Sequence, residues 1–289
     1  MKDYLISATA FDGTIDIVAV ETTNISNTAK EYHNLSCASE EILSKVMTAS
    51  FLMSNFMKSD NEVLTVEVNS SGEFGKIISV VNANLEVRGY IDNTKVKLLA
   101  DDKIEDKVGI DGYIKVIKDM RLKEPYIGIS KTRTGDIAKD LIYYYSVSEQ
   151  IPTYVVLSHV RGDNELARDC GMMLQVMPDV KGSTIKYIKD NMGKIGLFEE
   201  MIKKGNKLEN VLIDIFKDGK LKFKTKRSCE YKCNCSRDKM KGILISLGKK
   251  EIEDLIEDRG EANIECHFCN KTYEFKDKEL REILDKIKR

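Results

Sequence analysis

Four cysteines near the C-terminus carry the types and spacing that can do chemistry: Cys233 and Cys235 as C-x-C, then Cys266 and Cys269 as C-x-x-C. Thirty residues separate the two pairs, so they meet only if the intervening chain folds back. In a reducing compartment the usual reason for such convergence is a tetrahedral zinc site, with four thiolates at ~2.3 Å from the ion. Four thiolates leave no open coordination position, which argues against a catalytic zinc and leaves structure or redox chemistry. A zinc-bound thiolate is a stronger nucleophile and reductant than a thiol. Cysteines this close can pair through short loops, and each disulfide withdraws two ligands, so oxidation and metal loss are coupled. His267 stands between Cys266 and Cys269 and is expected to face solvent, since four cysteines already complete the set.

The elements that must position these residues can be read around them. Ser236 suits the N-cap of a helix reaching about Ile245, with Gly248 as its stop. A second helix spans 250–258, buries Ile252, Leu255 and Ile256, and ends at Gly260. Residues 262–275 read as strand, knuckle, strand, with Cys266 and Cys269 at the turn. A last helix starts near Asp277 and sets Leu280, Ile283, Leu284 and Ile287 on one face. A core this small needs a staple, and one zinc ion per chain in the reduced state would supply it.

Upstream, the pattern is that of an α+β domain with a mainly antiparallel sheet and packed helices. Tyr4, Ile6 and Ala8 alternate, Asp12-Gly13 turns, and Ile15, Ile17 and Ala19 alternate back. A long helix is predicted over 39–57, strands over 63–68, 76–82, 85–91, 112–119 and 126–130, a helix over 136–147, and strands near 153–160 and 170–177. After Pro178 a helix over 183–202 contains Gly193 and Gly196, each costing ~1 kcal/mol relative to alanine. A short helix over 207–216 follows. Neither is long enough to be stable alone, so both must dock their apolar faces. The expected organisation is a domain over 1–180, a metastable helical linker over 181–228, and a small zinc-binding domain over 229–289.

Composition narrows the function classes. The 289 residues include 32% charged side chains, yet the formal net charge is only -1, so no global field attracts nucleic acid or membrane. The N-terminal MKDYLISATA lacks the basic and apolar regions of a secretory signal, and seven cysteines without an export signal read as thiols of a cytoplasmic protein. Residues 217–241 carry ten Lys/Arg against three Asp/Glu, a reasonable nucleic-acid footprint beside a zinc knuckle and the basis of an alternative reading as an RNA- or ribosome-associated protein. Aromatic interleaving there is thin, which favours a solvated face and sets nucleic acid aside as a partner. An oxidoreductase would want C-x-x-C at a helix N-terminus, whereas Cys266 and Cys269 fall between strands; no enzyme is expected. Cys37 and Cys170 are expected to be half-buried thiols, His33 and His159 earn no role, and Met47, Met53, Met57, Met172, Met173 and Met177 read as core before client surface.

The segment from Cys233-Asn-Cys235-Ser236-Arg237-Asp238 to Met240, with Ser246-Leu247-Gly248, Glu265-Cys266-His267-Phe268-Cys269-Asn270 and Tyr273-Glu274-Phe275, closely resembles the redox-regulated 33 kDa chaperonin (heat shock protein 33 homolog) family. The likeness continues in Ala8, Phe11-Asp12-Gly13, Gly112-Tyr113, Val116, Lys118-Asp119 and Ser148-Glu149-Gln150-Ile151-Pro152, and so spans essentially the whole chain. The resemblance implies an ATP-independent holdase, zinc-bound and inactive when reduced. It further implies that under oxidative stress with heat Cys233 pairs with Cys235 and Cys266 with Cys269, zinc leaves, the linker unfolds, and the protein binds unfolding clients and dimerises. Cys229, four residues before Cys233, stands outside the family motif and could replace a ligand, act as a resolving thiol or sit on the surface.

Overall fold

The computed structural model describes residues 2–57, 59–161, 167–178, 180–190 and 192–287, apart from the side chain of Met192. The chain divides into two compact units, Met1–Lys232 and Cys233–Arg289. The α+β class holds, with antiparallel sheets and packed helices. Among the described residues no helix is long and apolar enough to cross a membrane.

In the first unit, β1 (Tyr4–Ala10) and β2 (Ile15–Glu21) form the expected hairpin, joined by a tight turn in which Phe11, Asp12 and Gly13 all have positive φ. Helices α1 (Thr23–His33) and α2 (Cys37–Ser54) follow, then β3 (Val63–Asn69), β4 (Lys76–Asn82) and β5 (Glu86–Ile91). A short α3 (Ile104–Val108) precedes β6 (Tyr113–Asp119) and β7 (Tyr126–Lys131). Then come α4 (Ile137–Tyr144), which runs into a single π turn over Tyr145–Glu149, and the strands β8 (Thr153–Arg161) and β9 (Ala167–Val176). The remainder of the unit comprises α5 (Gly182–Asp190), α6 (Met192–Gly196), α7 (Phe198–Lys203), α8 (Leu208–Ile215), β10 (Lys222–Ser228) and β11 (Glu230–Tyr231).

Two sheets hold the unit together. One has the order β10-β1-β2-β9-β8, antiparallel throughout; the other has the order β11-β5-β4-β3-β6-β7, antiparallel except where β11 joins β5. Helix α2 is apolar or small nearly all round, as a helix buried on every side must be, and it packs against strands of both sheets. It is capped by Ser36 and starts at Cys37, two residues before the predicted 39, and it ends at Ser54, short of the predicted 57. Close approach to β9 requires glycine: a Cβ at Gly171 would lie 2.6 Å from Thr48 Cγ2.

Strand alternation gives the five-stranded sheet two apolar faces. Leu5, Val18, Val20 and Met173 point toward the α2 core. Tyr4, Ile6, Ala8, Ile15, Ile17, Ala19, Cys170, Met172 and Leu174 form the opposite face, which is covered by Ile195, Phe198, Ile202, Leu208, Val211, Leu212, Ile215 and Phe216. Of the residues 181–228 predicted as a helical linker, α5 to α8 form a thin helical layer on the sheet while Lys222–Ser228 is strand β10 of the sheet itself, and α6 and α7 are separate where one helix over 183–202 is predicted. The break between α6 and α7 falls at Leu197, beside Gly196, and a Cβ at Gly193 or Gly196 would meet nothing within 4 Å. The methionines settle as core at positions 47, 53, 172 and 173, with Met57 and Met177 partly buried.

The second unit contains α9 (Arg237–Leu247), α10 (Lys249–Asp258), β12 (Glu261–Glu265), β13 (Thr272–Lys276) and α11 (Asp277–Ile287). Ser236 accepts from the Lys239 amide, and Gly248, at φ 97, separates α9 from α10 as predicted. Among the described residues, Met240, Leu244, Ile252, Ala262, Tyr273, Phe275, Leu280, Ile283 and Leu284 make its buried apolar core, with Leu255 and Ile256, predicted as buried, only partly so. Arg237 pins the start of α9 by bonding both carboxylate oxygens of Glu279 and the Glu274 carbonyl while lying 4.6 Å from the Phe275 ring centroid.

Candidate metal centre

The β12–β13 hairpin presents one pair of cysteines. Glu265 stands opposite Thr272 in the ladder, so Cys266 and Cys269 fall in the connecting knuckle. The Cys266 carbonyl accepts from the amides of Cys269, at 3.2 Å, and Asn270, at 2.8 Å, and the Cys266 amide donates to the Lys271 carbonyl. Asn270 adopts a left-handed φ of 53, which lets the chain turn back into β13. The other pair lies on the segment that enters α9, immediately before the Ser236 cap.

These two segments bring four sulfurs together. Cys233, Cys235, Cys266 and Cys269 have their Sγ atoms all within 4.8 Å of one another. Cys233 Sγ lies 3.6 Å from Cys266 Sγ and Cys235 Sγ lies 3.5 Å from Cys269 Sγ, so each of these contacts joins one motif to the other. All four are free thiols, far beyond the ~2.05 Å of a disulfide. Tetrahedral coordination at ~2.3 Å spaces sulfurs about 3.8 Å apart, and this cluster has that size. The donor set therefore fits a four-thiolate metal ion. His267 is exposed and outside the cluster.

The thiols are not equivalent. Burial resists ionisation of Cys235, but hydrogen bonds from Tyr273, led by its hydroxyl 3.2 Å away, and from Cys269, Cys233 and Cys266 bring it down to about 7. Burial and the neighbouring sulfurs push Cys233 well up and raise Cys269 to about 11. The lowered Cys235 is a ready first ligand, and protons are displaced from the ligand sulfurs as a cation binds. Tyr273, inward-facing on β13 beside Phe275, was not singled out by sequence for this contact; only the alternation of that strand hints at it.

The remaining cysteines and histidines lie elsewhere. Cys229 is buried in the first unit between β10 and β11, where its amide donates to the Asp3 carbonyl and burial pushes its thiol up to about 12. It is neither in the cluster nor on the surface. Cys37 is exposed and Cys170 fully buried, rather than half-buried as expected. His33 meets the Gly89 carbonyl at 3.0 Å, and His159 pairs with Asp169 at 2.7 Å, both as buried structural contacts.

A fold of this kind with a four-cysteine cluster can be set against known proteins. The sequence profile described as Hsp33 protein matches residues 3–276. The chain belongs to the Hsp33 family. It is 34% identical to the 33 kDa chaperonin of Bacillus cereus (strain G9842), over 99% of this chain and 100% of that protein. It is 35% identical to the 33 kDa chaperonin of Acetivibrio thermocellus, over 98% and 97%. The crystal structure of the 33 kDa chaperonin (heat shock protein 33 homolog) of Thermotoga maritima superposes with a TM-score of 0.88 at 26% identity, over the full length of both chains. Members of the Hsp33 family are named chaperonins, not enzymes.

Proposed function

We propose that this Hsp33-family chain is a redox-regulated, ATP-independent holdase of the cytoplasm. The observation that carries the reading is the four-sulfur cluster, sized for one zinc ion and built entirely from oxidisable thiols. Zinc, when bound, would hold the C-x-C segment on the β12–β13 knuckle and so staple a unit whose buried core is nine side chains. In that state the helical layer stays on its sheet and the protein is inactive.

Oxidation acts on the sulfurs. Each disulfide forms as two thiolates give up two electrons to one hydrogen peroxide, which takes two protons and leaves as two waters. Pairing Cys233 with Cys235 and Cys266 with Cys269 removes all four donors, and the ion is lost with them. The second unit then loosens, and the layer formed by α5 to α8 undocks. Its departure would open the face made by Tyr4, Ile6, Ala8, Ile15, Ile17, Met172 and Leu174, an apolar surface suited to unfolding clients. The oxidised form acts as a homodimer.

Layer geometry supports this order of events. Helices α5 to α8 are 9, 5, 6 and 8 residues long, too short to persist off the sheet, so the covered face opens as a unit. The test is light scattering of a denatured client diluted into reduced or peroxide-treated protein at raised temperature. Suppression only after oxidation agrees with the proposal, and equal suppression by both forms contradicts it.

A further inference from the structure

The covering layer and the strand beside it are strongly basic. Residues 181–228 carry thirteen Lys/Arg against six Asp/Glu, a net +7, which leaves -8 on the rest of the chain. Most of the layer's apolar side chains are spent on the sheet, and every lysine of this segment is exposed. Among the described residues only Lys204, Lys224 and Lys226 of them are ion-paired, with Glu200, Asp16 and Glu209.

At one end of β10 this charge surrounds aromatic rings. Phe223 sits between Lys222 and Lys224 and is 45% exposed. The β1–β10 register sets Lys222 opposite Thr9 and Phe223 opposite Ala8, next to the turn that carries Phe11. Gly219 presses on that turn, since a Cβ there would lie 2.8 Å from Phe11 Cε2. Tyr187 of α5 packs on Phe11 with ring centroids 4.8 Å apart. Lys217, Lys220 and Lys222 flank these rings on the same short stretch of chain. The nearby acids are engaged or outnumbered: Asp16 holds Lys224, Asp218 accepts from the Tyr187 hydroxyl, and Asp12 is the third.

In sequence, aromatic interleaving between 217 and 241 is thin; the fold brings Phe11 and Tyr187 to the lysines from far upstream. We propose that the β10 edge, with Lys217, Lys220, Lys222 and Phe223, binds single-stranded nucleic acid. Lys217 and Lys220 lie on the tight turn that leads into β10, and Lys222 is its first residue, so three cations, unpaired among the described residues, follow one short bend of chain, a patch suited to the phosphates of a flexible single strand. An exposed ring next to such cations is a stacking platform that tolerates any base. This function needs no redox event and belongs to the reduced, zinc-loaded chain.

The test is fluorescence anisotropy of labelled oligouridylate and oligothymidylate with the reduced, zinc-loaded full-length protein across a salt series. Both probes should bind, with affinity falling steeply as salt rises. The triple variant Lys217→Ala/Lys220→Ala/Lys222→Ala should bind at least tenfold more weakly, with a log–log salt slope shallower by about 2, at ~0.7 per lost phosphate contact. Phe223→Ala should weaken binding about tenfold and leave the slope unchanged. Unchanged thermal midpoints verify that these exposed substitutions leave the fold intact. No saturable binding at low salt, or a parental slope in the triple variant, overturns the proposal. Inorganic polyphosphate binding as tightly, with indifference to Phe223→Ala, also overturns it, because the surface would then select charge alone.

Discussion

The Tyr273 hydroxyl donates to the Cys235 sulfur across 3.2 Å. The bond joins a core residue of β13 to a candidate ligand on the segment before α9. Tyr273 thus has two tasks, filling the small apolar core and fixing one sulfur of the cluster. Groups that bond a metal ligand from outside orient it and tune its basicity.

Tyr273→Phe separates those tasks by keeping the ring and removing the donor. The bond lowers the Cys235 pKa, so its loss should move the metal-free thiol upward from about 7. Zinc affinity should fall roughly tenfold. Thiolate absorbance during a pH titration and competition with a chelator measure the two effects. An unchanged titration and unchanged affinity would show that the hydroxyl does not act on the sulfur.

Cys233→Ser removes one of four sulfur donors. Zinc affinity should drop sharply, and the second unit should loosen without any oxidant, because nine buried apolar residues have lost their staple. Metal content and the thermal melt of the reduced variant check this. One zinc per chain with a native melt would exclude Cys233 from the ligand set.

Gly193→Ala with Gly196→Ala should make activation harder. Neither new Cβ meets an atom within 4 Å, and each removes up to ~1 kcal/mol of helix-opposing freedom. The temperature at which peroxide elicits client binding should rise. An unchanged threshold would count against the layer as the moving part.

Phe198→Ala should act in the opposite direction. Its ring is fully buried between α7 and the sheet, and truncating a buried phenylalanine costs ~3–5 kcal/mol. The layer should release at lower temperature, with client binding appearing under milder oxidation. Proteolysis within residues 181–228 provides a direct readout, and protection equal to the parent protein would contradict the prediction.

Much of this was legible before the fold. Covalent spacing announces a chelating pair, so all four cysteines could be named from sequence. Strands such as β3, β4 and β6 were readable because one face of each is buried and the other is not. Strand β10 was not, because its side chains are all exposed and its place is set by long-range pairing with β1 and by polar side-chain contacts such as Thr225 with Ser7. Helix α1 escaped for a related reason: of its eleven residues, only Ile25 and Ala29 supply buried apolar surface. The Tyr273–Cys235 contact and the meeting of Phe11 with Tyr187 and Gly219 depend on long-range pairing, which no local pattern encodes.

The central claim is that loss of the four thiols, loss of the metal and gain of holdase activity are one event. Thiol count, free zinc and suppression of client aggregation can be followed together in one sample during peroxide treatment at mild heat. The account predicts that four thiols disappear, one zinc is released per chain, and suppression rises with the same time course. Zinc that stays bound while suppression appears, or suppression that never appears after the zinc is gone, would contradict it.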